Sequence, residues 1–253
     1  MKICSLSSGS KGNSLYIETD HSKILVDIGL SALQIRRRLH SVGVDPNEID
    51  GIVLTHAHAD HTRGVGVFAR QCGTPIHGHP ETLDSISHLL KRDEKIVPWN
   101  ASFRIQDLTF NPFPLSHDAY PTFGFLIESP RKRLVVCTDL GVVTPRVIEH
   151  ISEADIIIIE SNHDPEMLMN GPYPWELKER IASRVGHLSN HETGLLLKNI
   201  LHHRIEKIFL AHLSEENNTK ELARGTVLDY IGNSADSLID IFGQREVSPL
   251  FEF

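Results

Sequence analysis

The sequence predicts a layered α/β fold in which helices cover the outer faces of sheets. Short strand-like apolar runs alternate with helical patterns throughout the 253 residues. A hydrophobic content of 40% and a charged content of 23% are ordinary for a globular protein. No linker or low-complexity segment divides the chain, so we expect a single domain over residues 1–253.

Ten runs predict strands, because they are rich in β-branched, aromatic and other apolar residues and turn residues bound them. In chain order they are KICSL, NSLYIE, SKILVDIG, DGIVLTH, TPIHG, DLTFNPFPLSH, TFGFLIES, RLVVCTD, ADIIIIES and KIFLAH. The longest apolar run, Ile156 to Ile159, is far too short to span a membrane and predicts a buried strand.

The first helical pattern is SALQIRRRLHSVG. It predicts a helix with Leu33, Ile35 and Leu39 on its apolar side and with Gly43 as its stop signal.

Three later patterns carry helix start signals. PETLDSISHLLKR begins with Pro80, and YPWELKERIASRV begins after Tyr173 with Pro174. SNHETGLLLKNILHH begins with Ser189 and has Glu192 three residues on, which predicts a capping box.

Metal-competent side chains recur at the C-terminal ends of the strand-like runs. They are Asp27 after KILV, His56 after IVLT, His117 after FPLS, Asp139 after LVVCT, Glu160 after IIII and His212 after IFLA. A lone histidine beside a core is often structural, but six such endings indicate a common role. Because sheets bring strand ends to one edge, we expect these side chains to converge.

The stretch THAHADH, residues 55–61, adds further candidates. His56 and His58 are two positions apart, so a strand end or loop rather than a helix must direct both rings to one cation. Asp60 and His61 are adjacent and would point differently, towards a second cation. A zinc site takes about four ligands, with one position open if it is catalytic. Residues from elsewhere must therefore complete both sites.

The strand-end residues supply the missing ligands for a site with two divalent cations. We assign His56, His58 and His117 to the first cation, Asp60, His61 and His212 to the second, and Asp139 to both. A carboxylate has two oxygens and can bridge cations about 3.5–4 Å apart, the spacing in two-metal hydrolases. The donor set suits zinc, manganese or iron.

A closed structural zinc site is the alternative. Such sites are usually rich in cysteine. Cys4, Cys72 and Cys137 all lie outside the cluster, and aspartates contribute to it, so a structural zinc is disfavoured.

The ligand pattern resembles the metallo-β-lactamase fold superfamily over nearly the whole chain. The resemblance rests on THAHADH together with Asp27, His117, Asp139 and His212, in that order. It implies a four-layer αββα sandwich with a dinuclear site at one edge. It also implies that Asp27 supports the metal-binding loop by hydrogen bonding to it; the alternative is a simple turn residue before Gly29.

Two further segments, IIIIESNHDPEML and VGHLSNHE, resemble the tRNA 3′-processing nuclease branch of that superfamily. The resemblance implies that His187 donates a proton to the leaving oxygen and that Glu160 orients it. Leu188 departs from the motif of that branch. The alternative for His187 is a loop residue before a capped helix, with His163 and His191 as substitutes in the acid role.

Six segments resemble the YycJ/WalJ group of bacterial proteins. They are SLSSGSKGNSLYIE, THAHADH, PLSHDAYPTFGF, ESNHD, GHLSN and LAHLSEENN. The resemblance implies DNA exonuclease activity running 5′ to 3′ on duplex DNA. It extends to Asn217 and Asn218, to which we assign no role.

The loop SSGSKGN lies between the first two predicted strands. Successive backbone amides in a glycine-rich loop can bind an anion. Ser10, Lys11 and Asn13 are therefore candidate phosphate-binding residues. A tight hairpin turn with no ligand is the alternative.

We predict a dinuclear metal-dependent phosphodiesterase, most simply a DNA exonuclease, with a metal-bridging hydroxide as nucleophile. The alternatives are a thioester or cyclic-phosphodiester hydrolase of the same fold, and a non-catalytic regulator that retains it. The N-terminus lacks an export signal and three scattered cysteines predict no disulfide framework, so we expect a cytoplasmic protein with no membrane association. No protein partner is predicted.

The net charge of −8 is unusual for a protein that binds nucleic acid. It predicts modest, salt-sensitive DNA binding confined to a local groove rather than a broad basic face. The basic stretches IRRRLH and PRKR are more simply solvated surface charges.

Overall fold

A computed structural model describes residues 1–253 and contains two sheets of seven strands each. The first sheet has the order β14-β1-β2-β3-β4-β5-β6. Its strands are β1 Lys2–Ser7, β2 Ser14–Glu18, β3 Lys23–Val26, β4 Gly51–Val53, β5 Ile76–Gly78, β6 Ile96–Pro98 and β14 Phe251–Glu252. Pairing is antiparallel from β14 to β3 and parallel from β3 to β6.

The second sheet has the order β13-β12-β11-β10-β9-β8-β7. Its strands are β7 Phe103–Ile105, β8 Leu108–Pro114, β9 Phe123–Glu128, β10 Arg133–Cys137, β11 Ile156–Glu160, β12 Lys207–Ala211 and β13 Ile239–Ile241. The strands from β7 to β10 pair antiparallel, and those from β10 to β13 pair parallel.

Nine α-helices connect the strands. They are α1 Ala32–Ser41, α2 Ala59–Thr62, α3 Val65–Cys72, α4 Pro80–Ser85, α5 Pro145–Ile151, α6 Pro165–Asn170, α7 Trp175–Ile181, α8 Asn190–Ile200 and α9 Lys220–Ile231. No helix in the structure is both long enough and apolar enough to cross a bilayer.

Strand β11 shows how one short run serves two cores. Ile156 and Ile158 face the apolar core between the two sheets, whereas Ile157 and Ile159 face the core beneath α5, α8 and α9. This follows from the two-residue period of a strand, which sends successive side chains to opposite faces. A third core lies between the first sheet and helices α1 and α3. The layers are therefore helix, sheet, sheet, helix, and the predicted αββα sandwich is confirmed.

Each of the ten predicted runs contains a strand, and the buried strand at Ile156 to Ile159 is confirmed. The prediction missed β6, β7, β13 and β14, which have two or three residues each. These four are the edge strands of the two sheets. They have one paired neighbour instead of two, and so short a run carries too little alternation to be recognised.

The helix predicted in SALQIRRRLHSVG is α1, but the assignment of Leu33 to its apolar face is wrong. Ile35 and Leu39 are fully buried, whereas Leu33 is 58% exposed. Residues two apart on a helix point about 200° apart, so Leu33 and Ile35 cannot share a face, whereas Ile35 and Leu39, four apart, do.

The other three helices begin where their start signals predict. Pro80 is the first residue of α4, Pro174 caps α7, and the Ser189–Glu192 capping box is present at α8. The first of these patterns ends early, because α4 stops at Ser85 and only a 3₁₀ turn follows at residues 87–89.

Candidate metal centre

The ends of six strands meet at one edge of the sandwich. The residues that follow or close these strands are Asp27 after β3, His56 after β4, His117 after β8, Asp139 after β10, Glu160 in β11 and His212 after β12. The ring centroids of His56 and His61 are 4.1 Å apart, and those of His61 and His212 are 6.1 Å apart. Both sheets therefore contribute to a single cluster.

Three of these residues adopt the left-handed backbone conformation. The φ angles are 61° for Asp27, 65° for Asp139 and 55° for His212. This region costs a non-glycine residue on the order of 1 kcal/mol, and such strain concentrates at functional sites. Here it ends the extended run directly after each strand and turns the side chain into the cluster.

The turn after β3 also needs a glycine. A Cβ on Gly29 would lie 1.6 Å from the carbonyl oxygen of Asp60. The backbones of this turn and of α2 therefore approach each other more closely than any side chain would permit. This contact holds Asp60 beside the ligands that come from the first sheet.

Four overlapping groups of side chains bring their ligand atoms within 4.8 Å of one another. They are His56 with His58 and His117, Asp60 with His61 and His212, His56 with His61 and Asp139, and Asp139 with Glu160, His187 and His212. The first two groups coincide with the two sets assigned from the sequence, and Asp139 belongs to both of the others.

Three buried atoms of the cluster lack any hydrogen-bond partner. They are His56 Nε2, Asp139 Oδ2 and His212 Nε2. A buried polar atom without a partner costs on the order of 1–3 kcal/mol. All three belong to predicted ligands, and a cation bound among them would satisfy them, so the donor set fits divalent metals.

Hydrogen bonds around Thr55 fix which nitrogen of two histidines faces the cluster. Asp27 accepts from the Thr55 amide (2.9 Å) and hydroxyl (2.7 Å), and from His61 Nδ1 (2.8 Å). Since the Thr55 hydroxyl gives its proton to Asp27, it accepts from His56 Nδ1 at 3.0 Å. Both histidines are therefore left with Nε2 as the ligand atom.

His117 and His58 present different nitrogens. His117 Nδ1 donates to the Gly186 carbonyl at 3.1 Å, which leaves Nε2 as its ligand atom. His58 places Nδ1 3.3 Å from that Nε2 and turns its own Nε2 towards Asp118, 3.5 Å away. A cation shared by these two residues would therefore be held by His117 Nε2 and His58 Nδ1.

Glu160 is fully buried and accepts four hydrogen bonds. Its Oε1 accepts from Nδ1 of His187 (2.8 Å) and of His212 (2.9 Å), and its Oε2 accepts from the amides of Leu140 and Leu188 (3.1 Å each). Burial raises the pKa of Glu160, but the charge of His187 and the hydrogen bonds from both histidines outweigh it and lower the pKa to about 2. Glu160 therefore orients a predicted ligand as well as the predicted acid, a double role that the sequence did not reveal.

The buried carboxylates and histidines of the second predicted set stabilise each other's charges. Burial raises the pKa of Asp60 and of Asp139, but the charges of His61 and His212 leave both well below the ordinary value. Burial lowers the pKa of His212, yet Asp139, Asp60 and Glu160 raise it to about 10, and the pKa of His61 also rises well above its usual value. Without metal, this half of the cluster holds protons where cations would bind.

We expect metal loading to release protons. His61 and His212 must lose their protons before a cation can occupy Nε2, so apparent metal affinity should rise as pH rises towards the His212 pKa of about 10. Calorimetric titration of Zn²⁺ or Mn²⁺ near neutral pH, in buffers of different ionisation enthalpy, counts the released protons. An apparent binding enthalpy that is the same in every buffer would contradict this prediction.

The cluster opens into a cavity of about 290 Å³. One wall comes from α7 and the segment before it, through Tyr173, Leu177 and Arg180. The opposite wall carries Ser10 and Ser214, and His187 lies within the cavity. A substrate bound here would contact the predicted ligands and the His187 ring together.

The loop between β1 and β2 places its three candidate residues in different environments. Ser10 lines the cavity and Lys11 forms an ion pair with Glu215 at the surface. Asn13 is only 8% exposed, and its Nδ2 lies 3.3 Å from Asp60 Oδ2 and 2.9 Å from His61 Nε2. Asn13 thus contacts the predicted ligands directly.

The two asparagines without an assigned role lie behind the site. Asn218 Nδ2 donates to the carbonyls of Ser161 and Asn162, which joins the loops that follow β11 and β12. Asn217 is buried, and its backbone carbonyl accepts from the amide of Asp164 at 2.8 Å. Both residues hold the loop of His212 in place.

Of the two substitutes considered for the acid, neither lines the cavity. His163 is buried and pairs with Ser189 in an isolated bridge. His191 is exposed on α8, with Nδ1 3.3 Å from the Tyr230 hydroxyl. Of the three histidines considered for the acid, only His187 combines access to the cavity with a carboxylate partner.

Comparison with known proteins agrees with this geometry. Residues 22–212 match the profile of the Beta-lactamase superfamily domain. This chain belongs to the β-lactamase superfamily. Its likeness to known proteins extends beyond the matched residues, as two curated relatives and a solved structure show.

Two curated relatives align with most of the chain. The exodeoxyribonuclease YycJ of Bacillus anthracis is 35% identical over 248 residues, which cover 96% of this chain and 94% of that protein. The exodeoxyribonuclease WalJ of Streptococcus pneumoniae serotype 2 is 38% identical over 239 residues, which cover 92% and 89%. The predicted resemblance to the YycJ/WalJ group is confirmed, and the chain is a hydrolytic enzyme.

The solved structure of Zn²⁺-bound PqqB from Methylobacterium extorquens has the same fold. It superposes with a TM-score of 0.74 at 17% identity and covers 99% of this chain and 100% of that one. Identity this low bears on the fold alone. Together with the His/Asp cluster, the β-lactamase superfamily fold makes this a metal-binding protein.

Proposed function

We propose that the chain is a dinuclear metal-dependent phosphodiesterase that degrades DNA as an exonuclease, running 5′ to 3′ on duplex DNA. Two relatives named exodeoxyribonucleases align with nearly its full length. The observation that carries the proposal is the His187–Glu160 pair, 2.8 Å apart, whose His187 lines the same cavity as the His/Asp cluster. A phosphodiesterase needs both a cation site and a proton donor there.

The two groups of ligand atoms define where the cations would bind. In our assignment His56, His58 and His117 would hold one cation and Asp60, His61 and His212 the other, and Asp139 would serve both. When bound, such cations supply a water of lowered pKa as nucleophile and positive charge opposite the phosphate. Zinc, manganese or iron suits these donors.

His187 supplies the proton that the leaving group needs. Cleavage of a DNA phosphodiester expels an alkoxide, which is a poor leaving group unless it is protonated. His187 Nδ1 donates to Glu160 Oε1, so its Nε2 is free to carry a proton to the leaving oxygen. The ionised Glu160 fixes the direction of the ring by accepting from its Nδ1.

Asp27 and Thr55 act through the ligands rather than on substrate. Their hydrogen bonds hold His56 and His61 with Nε2 directed into the cluster. Partners of this kind are typically worth ten- to a hundredfold in metal affinity or activity.

A metal-reconstituted cleavage assay tests the proposal. The protein is stripped with chelator and reloaded with Mn²⁺ or Zn²⁺. It is then given duplex DNA, single-stranded DNA and RNA labelled at either end, beside a small phosphodiester and a thioester. We expect metal-dependent shortening of duplex DNA from the 5′ end, with little turnover of the thioester.

The other substrates distinguish the alternatives. Thioester turnover with intact nucleic acid would favour a small-molecule hydrolase, because a thiolate leaves without protonation. Full metal occupancy with no turnover of any substrate would favour a non-catalytic regulator. Digestion from the 3′ end would leave the nuclease standing and overturn the polarity.

A further inference from the structure

Two exposed cationic side chains contact one carboxylate beside the cavity, and a third contacts the backbone of the loop between β1 and β2. Lys11 Nζ and Arg245 Nε contact different oxygens of Glu215, and Arg63 Nη1 lies 3.4 Å from the Lys11 carbonyl. The Lys11 side chain is 66% exposed and that of Arg245 82%. We call Lys11, Arg63 and Arg245 the basic rim.

The basic rim is held rigidly although its side chains are exposed. Gln244 Oε1 accepts from the Lys11 amide at 2.7 Å, and Gln244 Nε2 donates to the Gly12 carbonyl at 3.0 Å. Arg38 Nη2 donates to the Arg245 carbonyl at 3.0 Å. These bonds join the loop between β1 and β2, the segment after β13 and helix α1, and so fix the backbone from which Lys11 and Arg245 project.

The same loop connects the basic rim to the predicted metal ligands. The amide of Asn13 donates to the Asp60 carbonyl at 2.7 Å, and the amide of His212 donates to the Ser8 hydroxyl at 2.8 Å. Ser10, next to Lys11, lines the cavity itself. A ligand reaching out of the cavity past Ser10 would therefore meet the rim.

The charge of the basic rim contrasts with that of the whole chain. Two of the three rim cations, Lys11 and Arg245, share the carboxylate of Glu215, whereas the chain as a whole carries a net charge of −8. The Nη groups of Arg245 make no hydrogen bond within the protein, since only its Nε binds Glu215. These donors are free to bind an anion, and a guanidinium suits phosphate in particular.

We propose that the basic rim binds the backbone phosphates of duplex DNA beside the nucleotide being cleaved. The inference rests on the proposed nuclease function, because it is a polymer leaving the cavity that would bring repeated phosphates past the rim. It extends the candidate phosphate site from the loop of Lys11 to Arg63 and Arg245. It also locates the local basic groove that an acidic chain needs in order to bind DNA.

A charge-matched pair of triple variants tests the proposal. Lys11→Gln, Arg63→Gln and Arg245→Gln together remove the rim charges. Arg131→Gln, Lys132→Gln and Arg133→Gln remove the same charge at the start of β10, whereas the cluster lies beyond the C-terminal end of that strand. Thermal unfolding of both variants confirms that they fold.

The readout is binding of a labelled duplex to the full-length chain, followed by fluorescence anisotropy between low and moderate salt. Chelator keeps the DNA intact. Each phosphate contact contributes about −0.9 to the slope of log affinity against log salt concentration. We expect the slope of the rim variant to be shallower by about 2–3. We also expect its affinity for DNA at low salt to be lower by about tenfold or more. We expect the control variant to bind like the unmodified protein.

The outcomes separate this inference from the proposed function. If the unmodified enzyme degrades DNA and the rim variant binds DNA with an unchanged salt slope, the rim inference falls and the nuclease stands. If the unmodified enzyme binds DNA through the rim but cleaves none, the rim stands and the nuclease falls. Rim-dependent binding to vesicles containing phosphatidylserine, without binding to DNA, would overturn the rim inference in favour of a membrane surface.

Discussion

Asp139→Asn should abolish activity, by about a thousandfold or more, and reduce metal content. Asp139 belongs to two of the four ligand groups, and its buried Oδ2 has no partner within the protein. Asparagine keeps the shape but removes the charge that would offset two cations. A catalytic metal ion is worth several kcal/mol of transition-state stabilisation, and each 1.36 kcal/mol is a factor of ten.

Asparagine is a sharper test than alanine at this position. Asp139 has a φ of 65°, a region that asparagine tolerates well and alanine does not. Loss of activity in Asp139→Ala would therefore combine a missing ligand with backbone strain. Asp229→Asn, on the exposed side of α9, makes the same chemical change away from the site.

The measurements are metal content after reconstitution and the rate of cleavage of each substrate. We expect Asp229→Asn to match the unmodified enzyme in both. If the Asp139→Asn enzyme kept its full metal content and its rate, Asp139 would not be a metal ligand.

His187→Ala should slow DNA cleavage by about 10²- to 10⁴-fold, the usual contribution of a general acid. It should do so without loss of metal, because in our assignment His187 binds Glu160 and not a cation. A small phosphodiester with an acidic phenol as leaving group should lose much less, because a phenolate leaves without protonation. Turnover of both substrates, measured beside metal content, separates proton donation from metal binding.

His191→Ala is the matched control. That histidine is exposed on α8, a few residues from His187, and its Nδ1 lies near the Tyr230 hydroxyl. If His187→Ala also lost metal, His187 would be a ligand, as its place in the group with Asp139 and His212 permits. Equal loss on both kinds of substrate would exclude the leaving group as the recipient of its proton.

Glu160→Gln should be more damaging than its distance from substrate suggests. Each carboxylate oxygen of Glu160 accepts two N–H hydrogen bonds. In glutamine one of these oxygens becomes an NH₂ group, which cannot accept and would face two N–H donors. Either orientation places a donor against donors. We therefore expect loss of metal as well as loss of the acid, in contrast to His187→Ala.

From the sequence we could predict that helices cover sheets in layers. We could also predict that the side chains assigned as metal ligands gather at one edge of these layers. Strand β11 could be predicted because all four of its isoleucines are buried. Successive isoleucines point to opposite faces of the sheet and pack into two different cores. Metal-competent residues at the C-terminal ends of strands that run in the same direction share an edge of the sheet. The edge strands escaped prediction because two or three residues carry no clear period.

Leu33 shows the limit of counting apolar residues on a short helix. An apolar leucine is usually buried, but Leu33 points away from the face of α1 that carries Ile35 and is therefore exposed. That geometry was available from the sequence through the helical period.

The sequence by itself determined a layered α/β fold and the identity of the side chains at the edge, because strand period and strand ends are local properties. The four-layer αββα order was implied by the resemblance to the metallo-β-lactamase fold superfamily. Only the tertiary structure decided which nitrogen of each histidine faces the cluster, that Glu160 serves His187 and His212 together, and that Arg245 lies beside Lys11. These features depend on partners far apart in the chain: the amide of His212 meets Ser8 across 204 positions. The physical reason is that a hydrogen bond or ion pair forms wherever packing brings its atoms together, and sequence spacing carries no record of that.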